Sequence, residues 1–198
     1  SDRNRSFFEH AGACGGFIDK DFFPFCRGRI FDSVEKDNKQ YNNELDVFWV
    51  SGAAFAIKAE IFNKVKGFDE RFFAHMEEID LCWKFQSMGY DVWSEPKSIV
   101  YHVGGGTLNT ESPIKTYLNF RNNLHMILKN LPFSSLCIVL PIRLILDGIA
   151  AFTFLKQKNG FQHFFMIAKA HFYLYSKIHE IIGKRKHITQ KKNLIGIT

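Results

Sequence analysis

Three carboxylates fall within four residues at Glu77-Glu78-Ile79-Asp80, and the apolar positions Phe73, Met76, Leu81 and Phe85 around them recur at roughly helical spacing. The spacing predicts a helix whose first turn carries the acids. There the free amides and the helix dipole keep a carboxylate ionised, which suits a group that must accept a proton or face a cation. Acidic first turns also stabilise ordinary surface helices, so the pattern by itself has a purely structural explanation. Two other places carry suitable chemistry. Gly52-Ala53 sets small side chains in an apolar run, where a ligand or another backbone can come close, although tight packing explains them equally well. His102 ends a short extended stretch and runs into Gly104-Gly105-Gly106, a setting that can fix an imidazole as a metal ligand or use it structurally.

The elements that must hold these groups follow from the same patterns. Residues 1–46 mix aromatics, glycine and charge without a dominant period, and read as loops and short extended pieces. The cluster Gly12-Ala13-Cys14-Gly15-Gly16 lacks the order of a dinucleotide fingerprint. Val47 to Ile57 is almost continuously apolar and predicts a strand buried on both faces, while Ala59 to Val65 predicts a short helix closed by Gly67. Beyond the acidic helix, Asp91 to Ser94 and Ile99 to His102 read as short strands. Ser112, as N-cap, and Pro113, as first helical residue, open a long helix to Asn130 that Leu131-Pro132 stops.

Phe133 to Leu155 is strongly apolar, but Arg143 and Asp147 bring its membrane-insertion balance close to zero. Those two residues are placed to pair, and Pro141 is expected to restart the helix, leaving a piece short for a span. Phe161 to Ile182 predicts a last helix with aromatics along one side and Lys184-Arg185-Lys186 at its end, the pattern of a helix lying on a membrane surface. His163, His171, His179 and His187 recur every eight residues, a step that turns a helix about 80° past whole revolutions, so they share no face.

With 198 residues, 46% of them hydrophobic and 22 of them Phe, the chain has room for a packed aromatic core, in one domain or part of a larger one. The net charge of +6 is a C-terminal property: residues 156–192 carry +8 and the others −2. That points to an anionic membrane surface. Nucleic-acid binding is the weaker reading, because the tail's aromatics alternate with aliphatics and no recognition motif appears. Cys14, Cys26, Cys82 and Cys137 lie far apart without a Cys-x-x-Cys pair, which speaks against a zinc or disulfide framework and for reduced, cytosol-facing thiols. The chain opens at Ser1-Asp2-Arg3 without Met or a signal peptide and reads as a fragment.

Taken in order, the runs Trp49 to Lys58, Gly67-Phe68-Asp69-Glu70-Arg71-Phe72-Phe73, Glu77 to Lys84, Gly89-Tyr90, Pro96, His102 to Gly106 and Arg121-Asn122 resemble the C-terminal half of family-2 glycosyltransferases of the GT-A fold. The likeness is greatest to bacterial rhamnosyltransferase-type members that build cell-surface polysaccharides. The resemblance implies an α/β fold, with residues 1–131 forming the acceptor-side and catalytic-base portion of a GT-A domain. The N-terminal nucleotide-binding half is then absent, and residues 132–198 form an apolar and basic helical tail at the cytoplasmic face of the inner membrane.

It further implies inverting transfer from a nucleotide-diphosphate sugar, of UDP or dTDP type, to a saccharide or lipid-linked saccharide. The family's usual acid pair is Glu-Asp with the second acid as base. That position is Glu78 here, with Glu77 as the alternative and Asp80 behind. Gly52, Ala53, Trp49 and Arg121 fall at substrate-facing positions, and His102 matches a ligand of a divalent metal, Mn²⁺ suiting imidazole better than Mg²⁺. Asp19-Lys20-Asp21 has the letters of the family's Asp-x-Asp metal motif without the long buried strand that should precede it. The chain alone is therefore expected not to bind a nucleotide sugar tightly. A non-enzymatic membrane-surface module is the competing reading.

Overall fold

The computed structural model describes residues 7–8, 15–30, 33–100, 112–183 and 185. They form a mixed α/β chain in two compact units. The first takes in the described residues up to Asp69 together with 78–100, and the second takes in Glu70–Glu77 with 112–183 and 185.

In the first unit the strands are short, as the aperiodic N-terminal sequence requires. β1 (Gly16–Ile18) pairs antiparallel with β2 (Pro24–Cys26) in the register Gly16 to Cys26, β3 (Arg29–Ile30) with β4 (Ser33–Val34), and β5 (Leu45–Asp46) with β6 (Trp93–Ser94). The apolar run from Val47 does not continue as a strand, contrary to its composition. Phe48 and Trp49 donate their amides to the Gly16 carbonyl and Val47 donates to Val92, which buries these three side chains. The Ser51 hydroxyl then accepts from Ala53 N at 3.2 Å and the chain turns, leaving 52–56 exposed. Ile99-Val100 likewise forms no strand, and Tyr101-His102 lie outside the described residues.

α1 (Ala59–Lys64) closes where expected, with Gly67 at φ +63° donating back to the Phe62 carbonyl at 2.9 Å. α2 (Glu77–Ser87) buries Ile79, Leu81, Cys82, Trp83 and Phe85. Trp83 is fully buried, stacked on Phe22 with ring centroids 5.6 Å apart and edge-on to Phe48 at 5.4 Å. Gln86 Nε2 donates to the Phe48 carbonyl at 2.6 Å, tying α2 to the Val47–Trp49 segment.

The second unit is helical: α3 (Pro113–Asn130), α4 (Phe133–Phe154) and α5 (Gly160–Gly183) pack on one another. α3 starts at Pro113 as read, but Ser112 makes no side-chain cap, and only its carbonyl enters the helix, accepting from Lys115 and Thr116. α3 packs against α5, and the helical unit takes in residues upstream of 132. Pro141 does not restart α4, which runs unbroken through it. The proline lies on an exposed turn beside Cys137 and Ile138, while Leu136, Arg143, Asp147 and Ala151 hold the opposite side buried. Arg143 and Asp147, 1% and 0% exposed, pair at 3.2 Å, with His171 of α5 at 3.5 Å from the second carboxylate oxygen. Thr116 meets His163 Nδ1 at 2.8 Å. Arg185 donates to the carbonyls of Leu128 and Leu131, so one cation of the basic run satisfies the end of α3.

Candidate functional site

The acids stand where the sequence put them, at the start of α2. Glu77 and Glu78 are half-buried, and Asp80 is fully buried. Their roles divide by environment. Asp80 pairs with Lys84 one helical turn on, at 3.2 Å, and the same Nζ donates to the Gly67 carbonyl at 3.3 Å, so this carboxylate joins α2 to the loop that closes α1. Glu78 lies over Gly52: a Cβ added at Gly52 would come within 3.8 Å of the Glu78 Cβ and 4.0 Å of its carboxyl carbon. The absence of a side chain at Gly52 thus leaves open the space beside the Glu78 carboxylate, at an exposed turn. Ala53 occupies the same exposed turn.

Beneath them, Cys82 is buried and its thiol is pushed up to about 12, first by burial and then by the negative charges of Glu78 and Asp80, against a hydrogen bond with the Val50 backbone. It is a packing residue and not a nucleophile at neutral pH. Trp49 is buried too, its indole N–H donating to the Phe17 carbonyl at 3.0 Å. A Cβ at Gly16 would run into its ring, so Trp49 belongs to the core packing around β1.

In the helical unit, the segment before the acids has an unusual backbone. After the single 3-10 turn Glu70–Phe72, Phe73, His75 and Met76 take φ of +62°, +69° and +72°, the left-handed region that side-chain-bearing residues avoid. Arg121 and Asn122 hold it. Asn122 Nδ2 donates to the carbonyls of Phe72, Ala74 and His75 at 2.9, 2.7 and 2.7 Å, and Arg121 Nη2 donates to those of Arg71 and Phe72 at 3.0 and 2.8 Å. The Arg121 guanidinium is therefore engaged on main-chain oxygens and lies over the rings of Tyr117 and Tyr173. Sequence reasoning assigned Arg121 to substrate and gave Asn122 no role; the signal available was their adjacency in the resembling run. His75 was not singled out either. Burial, reinforced by the Lys115 ammonium, holds its imidazole below the ordinary histidine value.

His102 lies outside the described residues, and no three His, Cys, Asp or Glu side chains among the described ones are grouped to hold an ion. Asp19 Oδ1 accepts from the amides of Asp21 and Phe23 at 3.0 and 2.8 Å, so the Asp19-Lys20-Asp21 triplet serves as the turn between β1 and β2.

Over 85 residues, 42% of its length, the chain is 27% identical to the N-acetylglucosaminyl-diphospho-decaprenol L-rhamnosyltransferase of Mycobacterium tuberculosis, equally in strain CDC 1551 / Oshkosh and in strain ATCC 25618 / H37Rv. The match covers 28% of those proteins, so the chain corresponds to a minor part of them. No family model and no solved structure matches. The finding is a distant similarity to a glycosyltransferase.

Proposed function

We propose that this chain supplies the acceptor-side, base-bearing part of an inverting GT-A glycosyltransferase of family-2 type in cell-surface polysaccharide synthesis. The donor is a UDP- or dTDP-sugar, and the acceptor is a saccharide, or a lipid-linked saccharide of the kind the rhamnosyltransferase relative is named for. The carrying observation is the half-buried glutamate pair opening α2, with Glu78 beside the vacant side-chain position of Gly52. Glu78 takes the proton of the acceptor hydroxyl, the freed oxygen attacks the anomeric carbon, and the nucleoside diphosphate leaves with the bonding pair. Glu77 is the alternative base. A divalent ion would neutralise the leaving diphosphate. The described residues do not assemble its ligands.

In transfer assays on the complete gene product, Glu78→Gln should nearly abolish nucleoside-diphosphate release while donor binding, measured calorimetrically, persists. Unchanged turnover in both Glu77→Gln and Glu78→Gln removes the acid pair from the chemistry, whereas a complete gene product that transfers no sugar leaves the non-enzymatic reading.

A membrane surface enters the reading through the helical unit. α4 is long and apolar enough to cross a bilayer by length and composition, yet only 22% of its most apolar stretch is buried. Ile138, Ile142, Ile145, Ile149 and Phe152 line one exposed side of it, and Phe161, Phe165, Phe172 and Tyr175 are exposed on α5. Its two charges are turned inward and paired, while the exposed Lys156 and Lys158 sit in the connection between the helices. This combination supports docking flat on an anionic bilayer at the cytoplasmic face, with acyl chains against the apolar stripes and lipid phosphates at the lysines. Flotation with vesicles of mixed anionic and zwitterionic lipid tests it. Ile145→Asp/Ile149→Asp should abolish binding, and binding indifferent to that change or to anionic lipid would overturn it.

A further inference from the structure

A five-residue stretch of backbone, Arg71 to His75, directs four of its carbonyls at two adjacent side chains of α3. Three of the six residues from Arg71 to Met76 are left-handed without being glycine, so the stretch has no local reason to hold this path. Its hydrogen bonds to the Asn122 amide and the Arg121 guanidinium supply that reason. The two donors are themselves linked, Arg121 Nε donating to Asn122 Oδ1 at 2.8 Å, and the guanidinium is seated over Tyr117 and Tyr173 at 5.5 and 5.4 Å. Phe72, fully buried, anchors the middle of the stretch against His125 with centroids 5.3 Å apart, and the Phe73 ring is left 82% exposed. Two residues after the last clamped carbonyl comes Glu77. Its Oε2 is buried, and no donor among the described residues reaches it. Side-chain hydrogen bonding to that oxygen therefore does not aim the carboxylate, and the direction in which the backbone delivers it carries more of the task.

We propose that Arg121 and Asn122 are positioning residues: together they hold the 71–76 backbone in its left-handed path and so set where α2 begins and how Glu77 is presented. The proposal rests on the reading of the acid pair as the transfer site for its catalytic consequence, but not for its structural one. Neither side chain is required to touch the sugar or the diphosphate. Arg121→Lys keeps the charge over the tyrosine rings and loses the planar fork that reaches two carbonyls through Nη2 and Asn122 Oδ1 through Nε; Asn122→Ala loses its three bonds to the 72–75 carbonyls and the one it accepts from Arg121.

Hydrogen exchange followed by mass spectrometry on the full chain reads the structural half. In Asn122→Ala, and less so in Arg121→Lys, amides of residues 73–78 should exchange about tenfold faster or more while those of α4 and α5 are unchanged. Unchanged protection of 73–78 in both variants overturns the clamp, and equal loss across all three helices reduces it to general stability. If Asn122→Ala does not fold, Arg121→Lys decides. For the catalytic half, kcat for sugar transfer by the complete gene product should fall about tenfold or more in these variants with KM for donor held within about twofold, as misplacement of a reacting group predicts. A loop that opens with kcat intact, in a protein that Glu77→Gln or Glu78→Gln inactivates, overturns positioning. If neither glutamine variant affects transfer, the functional reading fails and the exchange result still stands for the clamp.

Discussion

The most demanding consequence of the helical unit concerns its inward-facing charges. Arg143 and Asp147 are 1% and 0% exposed and 3.2 Å apart, with His171 also on the carboxylate. Removing one partner of a buried ion pair costs about 3–5 kcal/mol, whereas replacing both by apolar groups of similar volume is neutral or stabilising by about 1–4 kcal/mol. For a helical unit of this size, about 4–8 °C of melting temperature accompanies each kcal/mol. Asp147→Leu should therefore lower the Tm by roughly 12 °C or more, Arg143→Met by a similar amount, and Arg143→Met/Asp147→Leu should return most or all of the loss. Circular dichroism at 222 nm during heating, paired with urea titration, measures all four corners of this cycle. Double-variant destabilisation equal to the sum of the single ones would show the charges uncoupled, and the account of how α4 keeps an apolar outer side would fall with it.

Other outcomes follow from the first unit and from the segment before the acids. Cys82, with its thiol pushed up to about 12 by burial and by neighbouring carboxylates, should resist iodoacetamide at pH 8 in the native protein and react only on denaturation, while the exposed Cys137 reacts at once, as peptide mapping would show. Gly16→Ala forces a Cβ into the Trp49 indole and should cost about 1–3 kcal/mol, read from the denaturant midpoint by tryptophan fluorescence. His75 is held below its ordinary value of 6.5 when folded, so the unfolded chain binds the proton more readily. Its neutral-state contribution is complete above about pH 6.5 and is lost as the pH falls from there toward the folded value. Urea midpoints at pH values on either side of that point should decline on acidification, and less steeply in His75→Gln.

What could be read in advance was whatever depends on near neighbours in the chain. The acids at the start of α2, the Gly67 stop to α1, the Pro113 start of α3 and the Arg143–Asp147 pair all follow from spacing within about a turn. The misreadings arise where a distant partner decides. The run from Val47 has the composition of a buried strand, but its strand-like main-chain bonds, to Gly16 and Val92, come from Val47 to Trp49 before the Ser51 hydroxyl turns the chain. Phe73, His75 and Met76 have no local signature of left-handed backbone, because what holds them there is on α3, some fifty positions on. Pro141 was expected to break a helix that its packed side keeps continuous.

The burial of Trp83, stacked on Phe22 and edge-on to Phe48, has a practical corollary. All three tryptophans, Trp49, Trp83 and Trp93, belong to the first unit, whereas helices of 18, 22 and 24 residues belong to the second and only 6 and 11 helical residues lie in α1 and α2. Indole emission therefore reports on one half of the molecule and far-ultraviolet ellipticity mostly on the other. A single unlabelled sample, heated once and watched through both signals, will tell whether the two halves melt as one cooperative body or in sequence.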